Sequence, residues 1–212
     1  MKKFLIFIVA FLLIAPCTIS ASNKSLEKAL KKEYKSKMKE YKKEQWKIFG
    51  SSRSLEVALL THYDKLATAG DNAQEYVGIV SSFVSKNLGK QQALNNACVT
   101  YSTLAGSHVK GRVVSDMGAI VNVPQSEFDK FYAAYERIVE KEIRGEMKES
   151  YSIIRDKKDG TFEMQSFFIV NEDAATQARI RAFENAAKES EIAQKYATKV
   201  SDFIKEGFKP QE

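Results

Sequence analysis

The side chains suited to covalent or proton-transfer chemistry are few: two cysteines, Cys17 and Cys98, and two histidines, His62 and His108. A thiolate–imidazole pair needs its members within hydrogen-bond reach. Cys98 and His108 stand ten residues apart in a stretch with helical spacing, so a straight helix holds them about 15 Å apart. Cys98 sits within an apolar helical face and reads as a buried, inert thiol. His62 borders a leucine stripe and reads as a core-edge or surface histidine. The 27 acidic residues are spread mostly over helix surfaces. They single out no carboxylate pair at the roughly 5–9.5 Å separation that glycoside cleavage uses. The chain has no Gly-x-Ser-x-Gly elbow, no His-Glu-x-x-His, no phosphate-binding Gly-x-x-x-x-Gly-Lys and no Cys-x-x-Cys. Two cysteines and two histidines supply no four-thiolate zinc site. The sequence therefore implies no cofactor and no metal, and it names no catalytic residue.

Charge is the remaining chemical signal. Between Lys24 and Glu44 there are nine lysines against four glutamates. Leu26, Leu30, Tyr34, Met38 and Tyr41 recur there at spacings of four, four, four and three, which predicts an amphipathic helix with lysines on its other faces. Lys28, Lys31, Lys35, Lys39 and Lys42, with Trp46 just beyond, are the candidate surface-binding residues. Lys2 and Lys3 belong to a leader; without them 31 basic residues stand against 27 acidic, near +4. Outside this helix the chain is then close to neutral. Anionic lipid headgroups or wall polymers fit such a segment, whereas no arginine-rich or RNA-binding aromatic pattern points to nucleic acid.

The leader itself is legible. Lys2 and Lys3 precede twelve apolar residues, Phe4 to Ala15, and Thr18, Ser20, Ala21 and Ser22 follow. A basic start, a short apolar run and a small-residue exit read as a secretory signal over residues 1–21. Twelve residues reach about 18 Å, short of a ~30 Å hydrocarbon core. Cleavage after Ala21 or Ser22 discards Cys17. Alternatively, Ile14-Ala15-Pro16-Cys17 acts as a lipobox and Cys17 becomes an acylated N-terminus, with Pro16 where such boxes carry a small residue.

The elements that would position any site follow in order. Trp46 to Phe49 suggests a short strand ending at Gly50-Ser51-Ser52. Ser54 caps a helix through Leu55, Leu59 and Leu66 that stops at Gly70-Asp71. Glu75 to Phe83 is the next strand. A long helix follows, with Leu94, Ala97, Tyr101, Leu104, His108 and Arg112 along one line and Ala93, Cys98, Ala105, Val109 and Val113 beside it. Pro124 breaks it, and Ser126 with Asp129 resembles a helix-start box before Phe128, Phe131, Tyr135 and Ile138. Tyr151–Arg155 and Phe162–Val170 form a hairpin across Asp159-Gly160. A last helix spans about Ala174 to Lys205. The expected fold class is α+β: residues 22–45 a basic helix, residues 46–208 one domain with about four strands in an antiparallel or mixed sheet, and the helices on one face.

The alanine-spaced helix Gln91-Gln92-Ala93-Leu94-Asn95-Asn96-Ala97 through Leu104-Ala105 and Val109, followed by the Asp159-Gly160-Thr161-Phe162-Glu163-Met164 turn and an apolar return strand, resembles the Lpp-twenty family of bacterial envelope lipoproteins over roughly residues 46–190. The resemblance implies a small α+β domain with helices packed on an antiparallel sheet, exported to the periplasm or outer membrane, from a family with no known enzymatic role as a whole. Three readings result. The first is a non-catalytic envelope domain that binds a protein partner or self-associates through an uncovered sheet face. The second is a binder of an anionic membrane or wall surface through the Lys24–Lys43 helix. The third is an exported hydrolase with an unrecognised acidic site.

Overall fold

The computed structural model describes residues 23–117, 125–189, 194–195 and 197–205; the leader with Cys17, its cleavage positions, and Pro124 lie outside the described residues. Helix α1 spans Asn23–Lys43. Its end is shaped by Gln45, which adopts a left-handed φ of 62° and lets the Trp46 amide reach back to the Tyr41 carbonyl at 2.9 Å. That is the bond that closes a helix when the chain must turn sharply. Strand β1 (Lys47–Phe49) follows. Ser54 then caps helix α2 (Leu55–Ala69) by accepting from the Val57 amide, and Gly70 ends it at a positive φ, as the spacing predicts. Strand β2 (Ala73–Phe83), helix α3 (Lys86–Met117) and helix α4 (Gln125–Ile143) complete the first two-thirds. Helix α4 already includes Ser126, so this serine lies within the first turn and is not the cap.

Strands β3 (Lys148–Asp156) and β4 (Phe162–Asn171) form the expected hairpin. Asp159 accepts from the Thr161 amide at 3.0 Å and hydroxyl at 2.6 Å. Those two bonds hold its carboxyl below the usual range. Helices α5 (Glu172–Ala187) and α6 (Ala197–Lys205) end the fold. The expectation of one continuous last helix is corrected: α6 packs back on α5 and α3, which is how Val200, Phe203 and Ile204 reach the core.

The protein is α+β, with a four-stranded, fully antiparallel sheet in the order β1-β3-β4-β2. The period of two along β4 sends Met164, Ser166, Phe168 and Val170 to one face and Phe167 to the other. Under the first face lies α3, with α4, α5 and α6 behind it. The second face is also covered. Met38 and Tyr41 of α1 and Ala58 and Leu59 of α2 are buried with Tyr151, Ile153 and Phe167 of the sheet. The helices therefore cover both faces of the sheet and not one, and α1 contributes Met38 and Tyr41 of its apolar stripe to the core. Period-two patterning reveals that β4 is apolar on both sides near its end, but not which helix meets each side.

Helix α3 lies unusually close to the sheet. A Cβ on Gly78 would come within 1.8 Å of the Ala93 carbonyl oxygen. The buried line of α3 is Ala93, Ala97, Tyr101, Ala105 and Val109, while Leu104 of the expected line is half exposed. Alanine at the close-contact positions, above all Ala93 over Gly78, is what permits this approach, and Tyr101 enters the core farther along the helix. Helix α4 turns Phe131, Tyr135 and Val139 inward against α3 and α5. Gly78→Ala should therefore cost about 3 kcal/mol or more by overpacking, read as a lower denaturation midpoint; an unchanged midpoint would mean that α3 can retreat freely.

Candidate functional site

Helix α1 carries two longitudinal faces. Tyr34, Met38 and Tyr41 pack toward α2 and the sheet. Lys28, Lys31, Lys35, Lys39 and Lys42, at spacings of three, four, four and three, fall within an arc of about 80° on a helix of 3.6 residues per turn. Glu33 and Glu40, seven residues apart, lie across the helix from that arc. Lys28, Lys31, Lys35 and Lys39 are exposed and make no ion pair among the described residues. Lys42 pairs with Glu56 of α2 at 3.6 Å, while Lys37, off this arc, pairs with Glu40 at 3.5 Å. A helix whose acids neutralised its lysines would interleave them; here two of the three acids of α1 stand away from the arc, and Glu27, four residues before Lys31, borders it.

The lysine arc borders the seam between α1 and α2. Lys35, Lys39 and Lys42 line a shallow cleft of about 380 Å³ whose other walls are Tyr34, Met38 and Glu56. On α2, Glu56 and Tyr63 both reach α1, the latter through a 3.3 Å bond to Glu33. Leu60 sits between them on the same helical face, and its side chain is half exposed. Cations beside an exposed leucine make an amphiphilic rim. Glu56 and Leu60 escaped notice in the sequence because nothing there places α2 beside α1.

Trp46 does not belong to this surface. It is buried, its indole N–H donates to Glu44 at 3.1 Å, and the Arg155 guanidinium stacks over it at 4.6 Å. Arg155 in turn bonds Glu163 and Glu44, both at 2.8 Å. Of the six candidate binding residues, five lysines share one face and the tryptophan is core.

The reactive side chains are held apart. Cys98 packs on the α3 side of the sheet and His62 on the α1–α2 side, so two faces of one sheet separate them. Burial pushes the Cys98 thiol up to about 11, against the pull of Arg144, which leaves little thiolate at neutral pH. His62 is fully buried; its Nε2 meets a Glu75 carboxylate oxygen and its ring packs edge-on against Tyr151. No described nucleophile adjoins this pair. A buried arginine was not anticipated: Arg179 of α5 donates to Glu172 and to Thr176, each at 2.6 Å, and to the Tyr101 hydroxyl. Its position beside Ala178, within the stripe Ala175, Ala178, Ala182, Ala186, was the available signal. Among the described residues no three His, Cys, Asp or Glu side chains are grouped to hold a metal ion, and no helix is long and apolar enough to cross a membrane.

No protein-family model, no curated protein and no solved structure matches the chain.

Of the eight tyrosines among the described residues, seven have phenols raised above the ordinary value, burial being the largest cause in each. Tyr101 and Tyr132 are pushed up to about 12, from the ordinary 10.0. The unfolded chain releases these protons first, so the stabilisation is whole below pH 10 and is lost as pH rises toward 12. The denaturation midpoint should fall steeply above about pH 10, with tyrosinate absorbance appearing together with unfolding. Tyrosinate that grows in while the far-ultraviolet dichroism stays native would contradict this burial.

Proposed function

We propose that this protein is an exported, non-catalytic cell-envelope domain that seats on an anionic surface through the lysine face of α1. The observation that carries the reading is the segregation of Lys28, Lys31, Lys35 and Lys39, exposed and without ion pairs among the described residues, on one arc of a helix. Each lysine near an anionic bilayer contributes about 1 kcal/mol, so the arc supplies a reversible, salt-sensitive attachment of roughly 4–5 kcal/mol. An attachment of that size is useful when a second element holds the chain near the surface. The secretory leader or lipobox that directly precedes α1 fits that role. The non-catalytic part of the reading is supported by the separation of Cys98 from His62 and by the enclosed state of both.

A second reading, a protein partner, is favoured by Val84 and Leu88 at the corner between β2 and α3, which are 75% and 50% exposed. Self-association through an open sheet face loses its footing, because α1 and α2 lie on that face. The free edge of β2 is also blunted, since Asn96 of α3 donates to the Ile79 carbonyl at 2.8 Å.

The two readings differ in salt response. Residues 23–212 should co-sediment with vesicles containing phosphatidylglycerol and not with pure phosphatidylcholine. Lys31→Glu, Lys35→Glu and Lys39→Glu together should lower the partition coefficient at least about tenfold at low salt without shifting the melting temperature. Equal binding by the triple variant would remove α1 from the surface and leave the corner at Val84 as the working hypothesis.

A further inference from the structure

A second polar cleft, of about 350 Å³, opens where β1 stops. Strand β1 pairs with β3 only from Ile154 back to Ser152, so β3 residues 148–151 have no strand beside them there. The pairing of β3 with β4 also slips between Glu149 and Tyr151, making Ser150 a bulge. The loop after β1 turns away at Gly50, φ +70°, and carries Ser51 and Arg53 along the opening. Lys90 of α3 closes the other side.

Counting donors against acceptors in this cleft gives it a chemistry. Arg53 has a guanidinium with no carboxylate partner among the described residues. Lys90 is positioned by Glu149 at 3.0 Å, and Glu149 Oε1 also lies 2.9 Å from the Ser152 hydroxyl. The one carboxylate is thus already engaged. Ser51 Oγ accepts from the Arg53 amide at 3.1 Å and keeps its own proton to give. Ser150 Oγ is buried and has no hydrogen-bond partner among the described residues, an arrangement that is costly unless something else satisfies it. Two cations against one anion, with two hydroxyl donors to spare, complement an oxyanion. A cleft of this volume is at the small end of ligand sites and has room for one sugar-sized molecule, with Phe49 and Tyr151 as its apolar walls.

The geometry points to this cleft as a binding site for a sugar-sized ligand that carries a single oxyanion, phosphate or carboxylate, held by Arg53, Lys90, Ser51 and Ser150. The site does not depend on the lysine face of α1, and the two stand or fall separately. An enzyme's cleft would need a group to move protons; this one has its carboxylate tied to Lys90, so the inference is binding alone.

The test is a titration of isotope-labelled residues 23–212 followed by amide chemical shifts, with glucose 6-phosphate, glucuronate and glucose as probes. At least one of the two anionic sugars should saturate shifts around Ser51, Arg53 and Ser150, and which of them does so identifies the oxyanion; glucose should not. Arg53→Gln should weaken that binding at least about tenfold, Arg53→Lys by less, and Lys35→Gln not at all, with melting temperatures unchanged because Arg53 is exposed in a loop. The inference is overturned if neither anionic sugar saturates, if glucose binds as well as they do, or if Arg53→Gln binds like the wild type. A loss with Lys35→Gln as large as with Arg53→Gln would also overturn it, since that would be general attraction to a basic protein.

Discussion

The close approach of α3 to β2 organises the molecule. With Gly78 against the Ala93 carbonyl, the helix axis is pinned to one line across the sheet, and everything along that helix inherits a position. One turn before Ala93, Lys90 comes down beside Glu149 at the β3 bulge. One turn after it, Asn96 caps the Ile79 carbonyl on the sheet edge. Farther on, Tyr101 meets Tyr76 edge-on and receives Arg179. Gly78 has no side chain to pack and in the middle of a strand costs stability. The contact repays that cost by removing the gap in which a larger helix face would have to fit.

The two faces of the sheet are covered by different means. The α3 side is a deep core in which α4, α5 and α6 stack behind the first helix, and Arg179, its one buried charge among the described residues, is matched by Glu172 and by the Tyr101 hydroxyl. A charge taken from water is tolerable only with such partners. The α1–α2 side is thinner and contains polar pairs: Tyr41 with Tyr151 at 3.2 Å within it, and buried His62 with the partly exposed Glu75 of the edge strand β2. Here the helices are held by aromatic packing over the sheet, with Tyr151 stacked on Phe167 at 4.3 Å between ring centres. The thin layer is also the one that carries the lysine arc, so the surface proposed to meet an anionic partner belongs to the layer with the least protein behind it.

What could be read from residues alone divides along the range of the interactions involved. Ser54 as a cap, Gly70 as a stop and the Asp159-Gly160 turn are decided within a few residues, and all three stand in the structure as expected. The lysine arc is also local, since a 3.6-residue period places Lys28 through Lys42 on one side whatever α1 packs against. Long-range choices were not legible. Leu104 and Ala105 are equally good candidates for a buried face until the distance to the sheet is known, and at this distance Ala105 goes in. Residues 174–205 have a continuous helical pattern, yet the chain doubles back because Val200 and Phe203 gain more by joining the α3 core than by extending a helix into water. Trp46 was misplaced for the same reason: a tryptophan after a basic helix looks like a surface anchor until Arg155, more than a hundred residues away, closes over it.

The charge pattern of α1 makes sense once its two neighbours are considered together. Lys42 and Lys43 fall in its last turn, where cations oppose the negative end of the helix dipole, and Lys42 is neutralised by Glu56 across the seam. Those lysines have structural work. Lys28, Lys31 and Lys35 lie farther from the C-terminus, beyond the reach of that dipole, and nothing in the described fold compensates them. Their mutual repulsion at spacings of three and four opposes the helix by a few tenths of a kcal/mol per pair. A stretch that is destabilised by its own charges in isolation is relieved when an opposite surface approaches, so binding and the order of α1 are coupled. Two of the three acids of the same helix, Glu33 and Glu40, face the other way, where Tyr63 and Lys37 occupy them, and this leaves most of the cationic side without an acid from its own helix.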